Sequence, residues 1–121
     1  MKQLPPLRGE IWRAYTPGQP RDPHQPRPVL VVSADERNRV EDDVLVIPMF
    51  TRGHIGPTHI PIRTGIGGLD HDSLLFCEEI TTLDIDFLDE GPLGHPVSES
   101  LLRRVIWGVR ISIGDVPMPG Q

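Results

Sequence analysis

Short apolar runs bounded by turn residues dominate the chain. Gly9 to Tyr15 reads as a first strand, and Pro28 to Ser33 is a continuous apolar run of strand length. Val44 to Phe50 is another such run, in which Pro48 marks a bulge or an edge because proline cannot donate to a ladder. Ile60 and Ile62 alternate with Pro61 and Arg63 as in a half-buried strand, and Ser73 to Ile80 is a further strand. Between these runs, Asp35 to Asp43 is polar and turn-like, and Gly65 to Asp70 is a turn. Thr82 to Phe87 has room for one short helical turn capped by Thr82. The period changes only after Pro96. Ser98 and Glu99 supply a cap and a first-turn acid, and Leu101, Leu102, Val105, Ile106, Val109 and Ile113 recur at helical spacing. Gly114 and Pro117 end that helix. Arg103, Trp107 and Arg110 share its other face, as a subunit contact or a surface cation–π cluster.

Thr16 to Pro28 interrupts this order, with prolines at 17, 20, 23, 26 and 28. No central strand tolerates such a series. The spacing also suits a polyproline II ligand, but the segment lies between two strand patterns, so it reads as a stiff excursion linking them. Short strands, irregular links and one C-terminal helix predict a small, strongly bent antiparallel sheet or open barrel.

Composition sharpens this picture. The 121 residues suffice for one domain, 1–121, and 14 prolines with 12 glycines exclude a long-helix bundle. The single cysteine, Cys77, cannot form an internal disulfide and reads as a core residue. Met1 to Gly9 has no apolar run like a signal peptide, and no stretch approaches the roughly 18 apolar residues of a membrane span, so a cytoplasmic protein with no membrane contact is expected. The net charge of −5 is unevenly spread: residues 1–40 carry seven Lys/Arg against four acids, and residues 41–121 carry five Arg against thirteen acids. Such asymmetry suggests a local anion site in an otherwise acidic molecule, beside the plainer reading of an uneven solvated surface.

Few constellations carry chemistry. Gly65, Gly67 and Gly68 do not form a phosphate loop, since no GxxxxGK[ST] pattern or following helix is present. Asp70, His71 and Asp72 lie in a turn without a partner His or Cys at ligand spacing, so a solvated turn is favoured over a metal site. What remains lies at strand ends. Arg27 precedes Pro28, which biases it toward extended backbone and holds its guanidinium on a fixed stem. Thr51 ends the run that begins at Val44; if the two strands are antiparallel neighbours, Arg27 and Thr51 are close. A fixed Arg suits phosphate because its fork gives two parallel hydrogen bonds. The alternative is an ordinary surface Arg and a strand-end Thr.

Six segments in order decide further: Arg8 to Trp12, Arg27 to Ser33, Val46 to Thr51, Thr58 to Ile60, Asp72 to Leu74 and Cys77 to Asp84. Together with the closing Val109 to Gly114, they closely resemble the MazF/PemK family of toxins, from about residue 8 to 114. The resemblance implies a mainly β fold with helices, an SH3-like barrel with a C-terminal α-helix, acting as a homodimer. It implies a metal-independent, sequence-specific endoribonuclease of a type II toxin–antitoxin system. Such an enzyme cuts single-stranded RNA and leaves a 2′,3′-cyclic phosphate and a 5′-hydroxyl. A cognate antitoxin would cover the RNA groove with its C-terminal segment.

By the same resemblance Arg27 and Thr51 are catalytic, and Glu78 and His59 lie near substrate. The loop holding Arg21, His24 and Gln25 gates the site. His24 and His59 are also candidates for acid–base work, since histidine titrates near neutrality. Glu79 is counted with Glu78 among the substrate-binding residues; many members have Glu-Gln-Ile-Arg where this chain has Glu78, Glu79, Ile80 and Thr81, so the family's base contacts by that Gln and Arg, and with them its cut sequences, do not carry over. Two rivals share the barrel: a CcdB-like gyrase-binding toxin, whose terminal Trp-Gly-Ile pattern is absent from the tail beginning at Met118, and a non-catalytic SH3-like interaction module.

Overall fold

The apolar runs pair into one seven-stranded antiparallel sheet in the computed structural model, which describes residues 4–19 and 21–120. Met1 to Gln3, Lys2 among them, Pro20 of the proline series and Gln121 lie outside the described residues. Among these residues the strands are β1 (Ile11–Ala14), β2 (Arg27–Val31), β3 (Asp43–Phe50), β4 (His59–Ile62), β5 (Ser73–Phe76), β6 (Thr81–Asp84) and β7 (Leu88–Glu90). Helix α1 (Asp35–Val40) links β2 to β3, and α2 (Glu99–Ser112) follows β7. The order across the sheet is β4-β5-β3-β2-β1-β7, with β6 also paired to β3. The sheet is an open, barrel-like wall with a C-terminal helix.

β2 and β3 are apolar on both faces because both faces are covered. Leu30, Ile47 and Met49 meet Leu102 and Val105 of α2 in one core. Val29, Val31, Val44 and Val46 turn the other way and form a second cluster with Ala14 and Leu83. This is the period-two alternation of a pleated strand applied to two cores.

β3 is the hub, and it changes partner along one edge. Its Asp43 to Val46 stretch pairs with β6, while Met49 and Phe50 pair with β5. Pro48 lies in the gap between those stretches. Val32 N–H donates to the Leu45 carbonyl across the β2–β3 ladder, so by antiparallel alternation the nitrogen of Pro48 faces away from β2, into that gap. Its missing donor is therefore not wanted. The proline marks neither a bulge in the β2–β3 register nor a sheet edge.

The same switch shortens the strand expected over Ser73 to Ile80. If the β5 register continued past Leu75, residue 78 would stand opposite Val46, but Thr81 stands there. Three residues are surplus, and Cys77–Glu79 coil into a 3-10 turn. Thr82 then lies inside β6 and caps nothing; the helical turn expected after it is the 3-10 turn Ile85–Phe87, which begins after Asp84.

Two other elements depart from the periodicity. Asp35 to Val40 is helical because partners near and far fasten it: acids occupy its first turn, Arg37 and Arg39 its last, and buried Asn38 Nδ2 donates to the carbonyls of Ser33 and the distant Pro6. In α2 the cap is as expected, with Ser98 Oγ accepting from Leu101 N–H at 3.2 Å. Its buried face, however, holds Leu101, Leu102, Val105, Gly108 and Ile111, while Ile106 and Ile113 are exposed. Apolar spacing passes over Gly108, which has no side chain to count. A Cβ there would stand 2.6 Å from Cys77 Sγ, so glycine lets α2 close onto the 3-10 turn.

Candidate active site

Arg27 opens β2, and extension of the β2–β3 register sets it opposite Phe50, the last residue of β3. Its guanidinium carbon lies 4.4 Å from the Phe50 ring centroid. Thr51 follows Phe50 directly and lines a surface depression of about 370 Å³ with Arg21, Phe50, Arg52 and Gly53. The strand ends therefore bring Arg27 and Thr51 into one neighbourhood, with Phe50 between them. Thr51 is exposed to solvent, whereas Arg27 is only 8% exposed.

Arg27 is held but not satisfied. One terminal nitrogen donates to the backbone carbonyl of Arg21, and Nε is buried without a hydrogen-bond partner. Burial lowers the guanidinium pKa, Asp22 and Glu79 raise it, and Arg21 lowers it further; the net direction is down. Thr16 Oγ1 and Glu79 Oε1 are likewise buried without partners. Native structures rarely leave such groups unpaired. Continuing the β1–β2 register puts Thr16 two residues past Ala14, the partner of Arg27, on the same face.

The linking loop between β1 and β2 closes over this region. The Arg21 guanidinium sits over the rings of Phe50 and Phe76, at 4.9 and 4.8 Å, and its Nη1 is 3.6 Å from Glu79 Oε2. Gln19 Nε2 donates to Thr81 Oγ1 at 3.3 Å. Farther along the loop, His24 is 90% exposed at its side chain and stands 3.4 Å from Asp22, and Gln25 is exposed. Arg21 thus reaches the site in this conformation, whereas His24 and Gln25 face solvent.

His59 and Glu78 form a second group behind the phenyl rings. His59 Nδ1 can only donate to the His54 carbonyl, at 3.0 Å, which leaves Nε2 to meet Glu78 Oε2 at 2.5 Å. Both ring nitrogens of His59 are thereby engaged. The His59 ring stacks on Phe76 at 3.9 Å, and Phe76 meets Phe50 at 4.6 Å. A continuous stack therefore runs from His59 through Phe76 and Phe50 to Arg27. For the Glu78 carboxyl, burial acts to raise the pKa, but hydrogen bonds from His59, its own backbone and Thr58 outweigh it, and the net direction is down.

The two phenylalanines that join these groups were not among the site residues expected from the sequence. Phe50 was identifiable as the residue preceding Thr51; nothing in the sequence points to Phe76. Glu78 and Glu79 were identified, but their place on a 3-10 turn was not. Asp70, His71 and Asp72 fasten their own turn: Asp70 bonds Arg13 at 2.8 Å and His71 at 2.5 Å, and Asp72 accepts from Thr64.

Comparison with known proteins points one way. Residues 7–113 match the family model described as PemK-like, MazF-like toxin of type II toxin-antitoxin system. The chain is 31% identical over 110 residues to the endoribonuclease MazF of Staphylococcus saprophyticus, spanning 88% of this chain and 90% of that protein. Its fold resembles MazF from Deinococcus radiodurans, with a TM-score of 0.74 at 18% identity over 93% and 99% of the two chains. It also resembles a mycobacterial endoribonuclease in complex with its cognate antitoxin, with a TM-score of 0.72 at 24% identity over 94% and 99%.

Proposed function

The chain belongs to the PemK-like, MazF-like toxins of type II toxin–antitoxin systems, and from that premise we propose that it is an endoribonuclease that cuts single-stranded RNA through Arg27 and Thr51. The observation that carries the assignment is Arg27 itself: an arginine residue more than nine-tenths buried, with its guanidinium over the Phe50 ring and its Nε unpartnered. A phosphate oxygen is the natural partner for such a group.

The reaction needs no bound cofactor. The 2′-hydroxyl gives up its proton to solvent and attacks the adjacent phosphorus in line; the bond from phosphorus to the 5′-oxygen breaks and that oxygen takes up a proton, giving a 2′,3′-cyclic phosphate and a 5′-hydroxyl. Charge grows on the non-bridging oxygens, and donors fixed in advance stabilise it. Arg27 supplies a forked cation, and Thr51 supplies a hydroxyl donor from the neighbouring strand end. Burial shifts Arg27 downward, which makes it a better acid toward the leaving oxygen than a solvated guanidinium. His59 has both ring nitrogens engaged, so in this conformation it buttresses Phe76 and the floor of the site together with Glu78.

Arg21 must leave before RNA enters, because its carbonyl and its guanidinium occupy Arg27 and the phenyl faces. A homodimer in the cytoplasm, inhibited by an antitoxin whose C-terminal segment covers the groove, completes the proposal. Among the described residues no helix is long and apolar enough to cross a membrane. A mycobacterial endoribonuclease of similar fold forms a complex with its cognate antitoxin, which supports an antitoxin as partner. The deciding experiment incubates the purified protein with a long single-stranded RNA and maps both ends of each product. Discrete cuts ending in cyclic phosphate and 5′-hydroxyl are expected; intact RNA would favour a gyrase-binding or purely interacting protein.

A further inference from the structure

Where the loop covers the site, a planar cation, two phenyl rings and a carboxylate meet. The Arg21 guanidinium lies over Phe50 and Phe76, at 4.9 and 4.8 Å from their centroids. Its Nη1 is 3.6 Å from Glu79 Oε2, too long for a hydrogen bond. Glu79 Oε1 is buried with no partner at all, in a side chain only 15% exposed. The neighbouring Glu78 is already engaged by His59. Glu79 is therefore a carboxylate beside an aromatic floor, set to accept from a flat group bearing adjacent N–H donors, and the present occupant satisfies it poorly.

Single-stranded RNA is read through the same two contacts, a base stacked on an aromatic face and hydrogen bonds to its Watson–Crick edge. Guanine carries N1–H and N2–H₂ side by side, and with C2 these form a guanidine unit like the Arg side chain that now fills the place. Adenine and cytosine each set one amino donor beside a ring lone pair. Uracil sets its single N3–H between two carbonyl oxygens. Among the four, guanine alone meets both carboxylate oxygens without opposing an acceptor to them.

We propose that Glu79 is a specificity-determining residue that selects guanine, stacked in the place held by Arg21 in this closed conformation. The assignment rests on the endoribonuclease reading and deepens it. Arg21 is suited to yield. Its side chain is 56% exposed, and Arg21 and His24 both have left-handed backbone, with φ of 62° and 56°, which side-chain-bearing residues rarely adopt. Opening the loop relieves both, while Arg27 stays in its buried place on β2.

The test uses the 121-residue protein and a set of short single-stranded RNAs. Each position around a mapped cut carries guanine, inosine, adenine, cytosine or uracil in turn, and kcat/KM is measured for the unsubstituted protein and for Glu79→Gln. One position is expected to favour guanine by roughly tenfold or more, the discrimination of a good bidentate pair. Inosine, which lacks the N2 amine, loses much of that advantage; this arm needs no variant. Glu79→Gln replaces one acceptor by a donor, and its guanine advantage at that position shrinks. Cleavage without any guanine-favouring position, inosine equal to guanine, or an undiminished preference in Glu79→Gln overturns this assignment and leaves the nuclease reading standing. Failure of the unsubstituted protein to cut any RNA overturns both.

Discussion

The Arg27 guanidinium stands over the ring of Phe50, 4.4 Å from its centroid, and the two residues face each other across the β2–β3 ladder. The cation is thus fixed by a strand register and an aromatic face, with Thr51 one residue beyond. Replacing Arg27 by Ala is expected to lower cleavage by roughly 10²- to 10³-fold, the usual loss when a transition-state donor is removed. Arg27→Lys keeps the charge but loses the planar fork, so it recovers only a small part. Cleavage of a labelled RNA, read beside a thermal melt, separates lost chemistry from lost fold.

Thr51→Val keeps the shape of the side chain and removes its hydroxyl. A loss of roughly ten- to hundredfold in kcat is expected, as for a hydrogen bond to a charged group, with Thr51→Ser close to the unsubstituted rate. An active Thr51→Val would exclude the hydroxyl from the reaction.

Cleavage is expected to persist in excess EDTA, because the charge stabilisation assigned here comes from Arg27 and Thr51. Loss of cutting, restored by a divalent cation, would turn attention to Asp70, His71 and Asp72.

The His59–Glu78 pair makes stability depend on pH on the acid side. Glu78 titrates below its ordinary value of 4.5 in the folded chain, held down by His59. Its contribution is present above the unfolded-state value and disappears as pH falls through the folded one. The melting temperature should therefore drop as pH falls below about 4.5, and Glu78→Gln should flatten that limb. An acid limb unchanged in Glu78→Gln would show that the pair does not govern it.

Gly108→Ala tests the seat of α2. Alanine favours a helix by about 1 kcal/mol, but its methyl would meet Cys77 Sγ at 2.6 Å and the Pro57 carbonyl at 3.2 Å. Overpacking of this kind costs about 1–3 kcal/mol, so net destabilisation in urea is expected. Combining it with Cys77→Ala should recover part of the loss, since the sulfur is the closest obstacle. Simple additivity would place the strain elsewhere.

Most of the strand pattern was legible because buried runs such as Val29 to Val31 are apolar whichever sheet they join. The proximity of Arg27 and Thr51 followed from one assumption about pairing, which the β2–β3 register bears out. Features set by topology were not legible. The end of β5 at Phe76 depends on β3 changing partner, which no local pattern encodes. The helix at Asp35 depends on Asn38 reaching back to Pro6, a contact 32 residues distant. Ile106 and Ile113 fit a helical stripe, yet α2 turns Gly108 inward because closeness to Cys77 matters more than side-chain size. In the candidate site, Phe76 is placed by the β3–β5 and β4–β5 pairings, which set its ring between His59 and Phe50, and nothing in its own sequence neighbourhood marks that position.

The Cys77–Glu79 turn is surplus chain, laid in where β3 has no neighbour, and none of its residues forms a rung with β3. Glu78 and Glu79 can therefore be exchanged without shifting the rungs that align Arg27 against Phe50. Under the role proposed for Glu79, a lineage that keeps this sheet can change which RNAs it attacks through a few substitutions in that insert, with the strand pairing that places Arg27 left as it is.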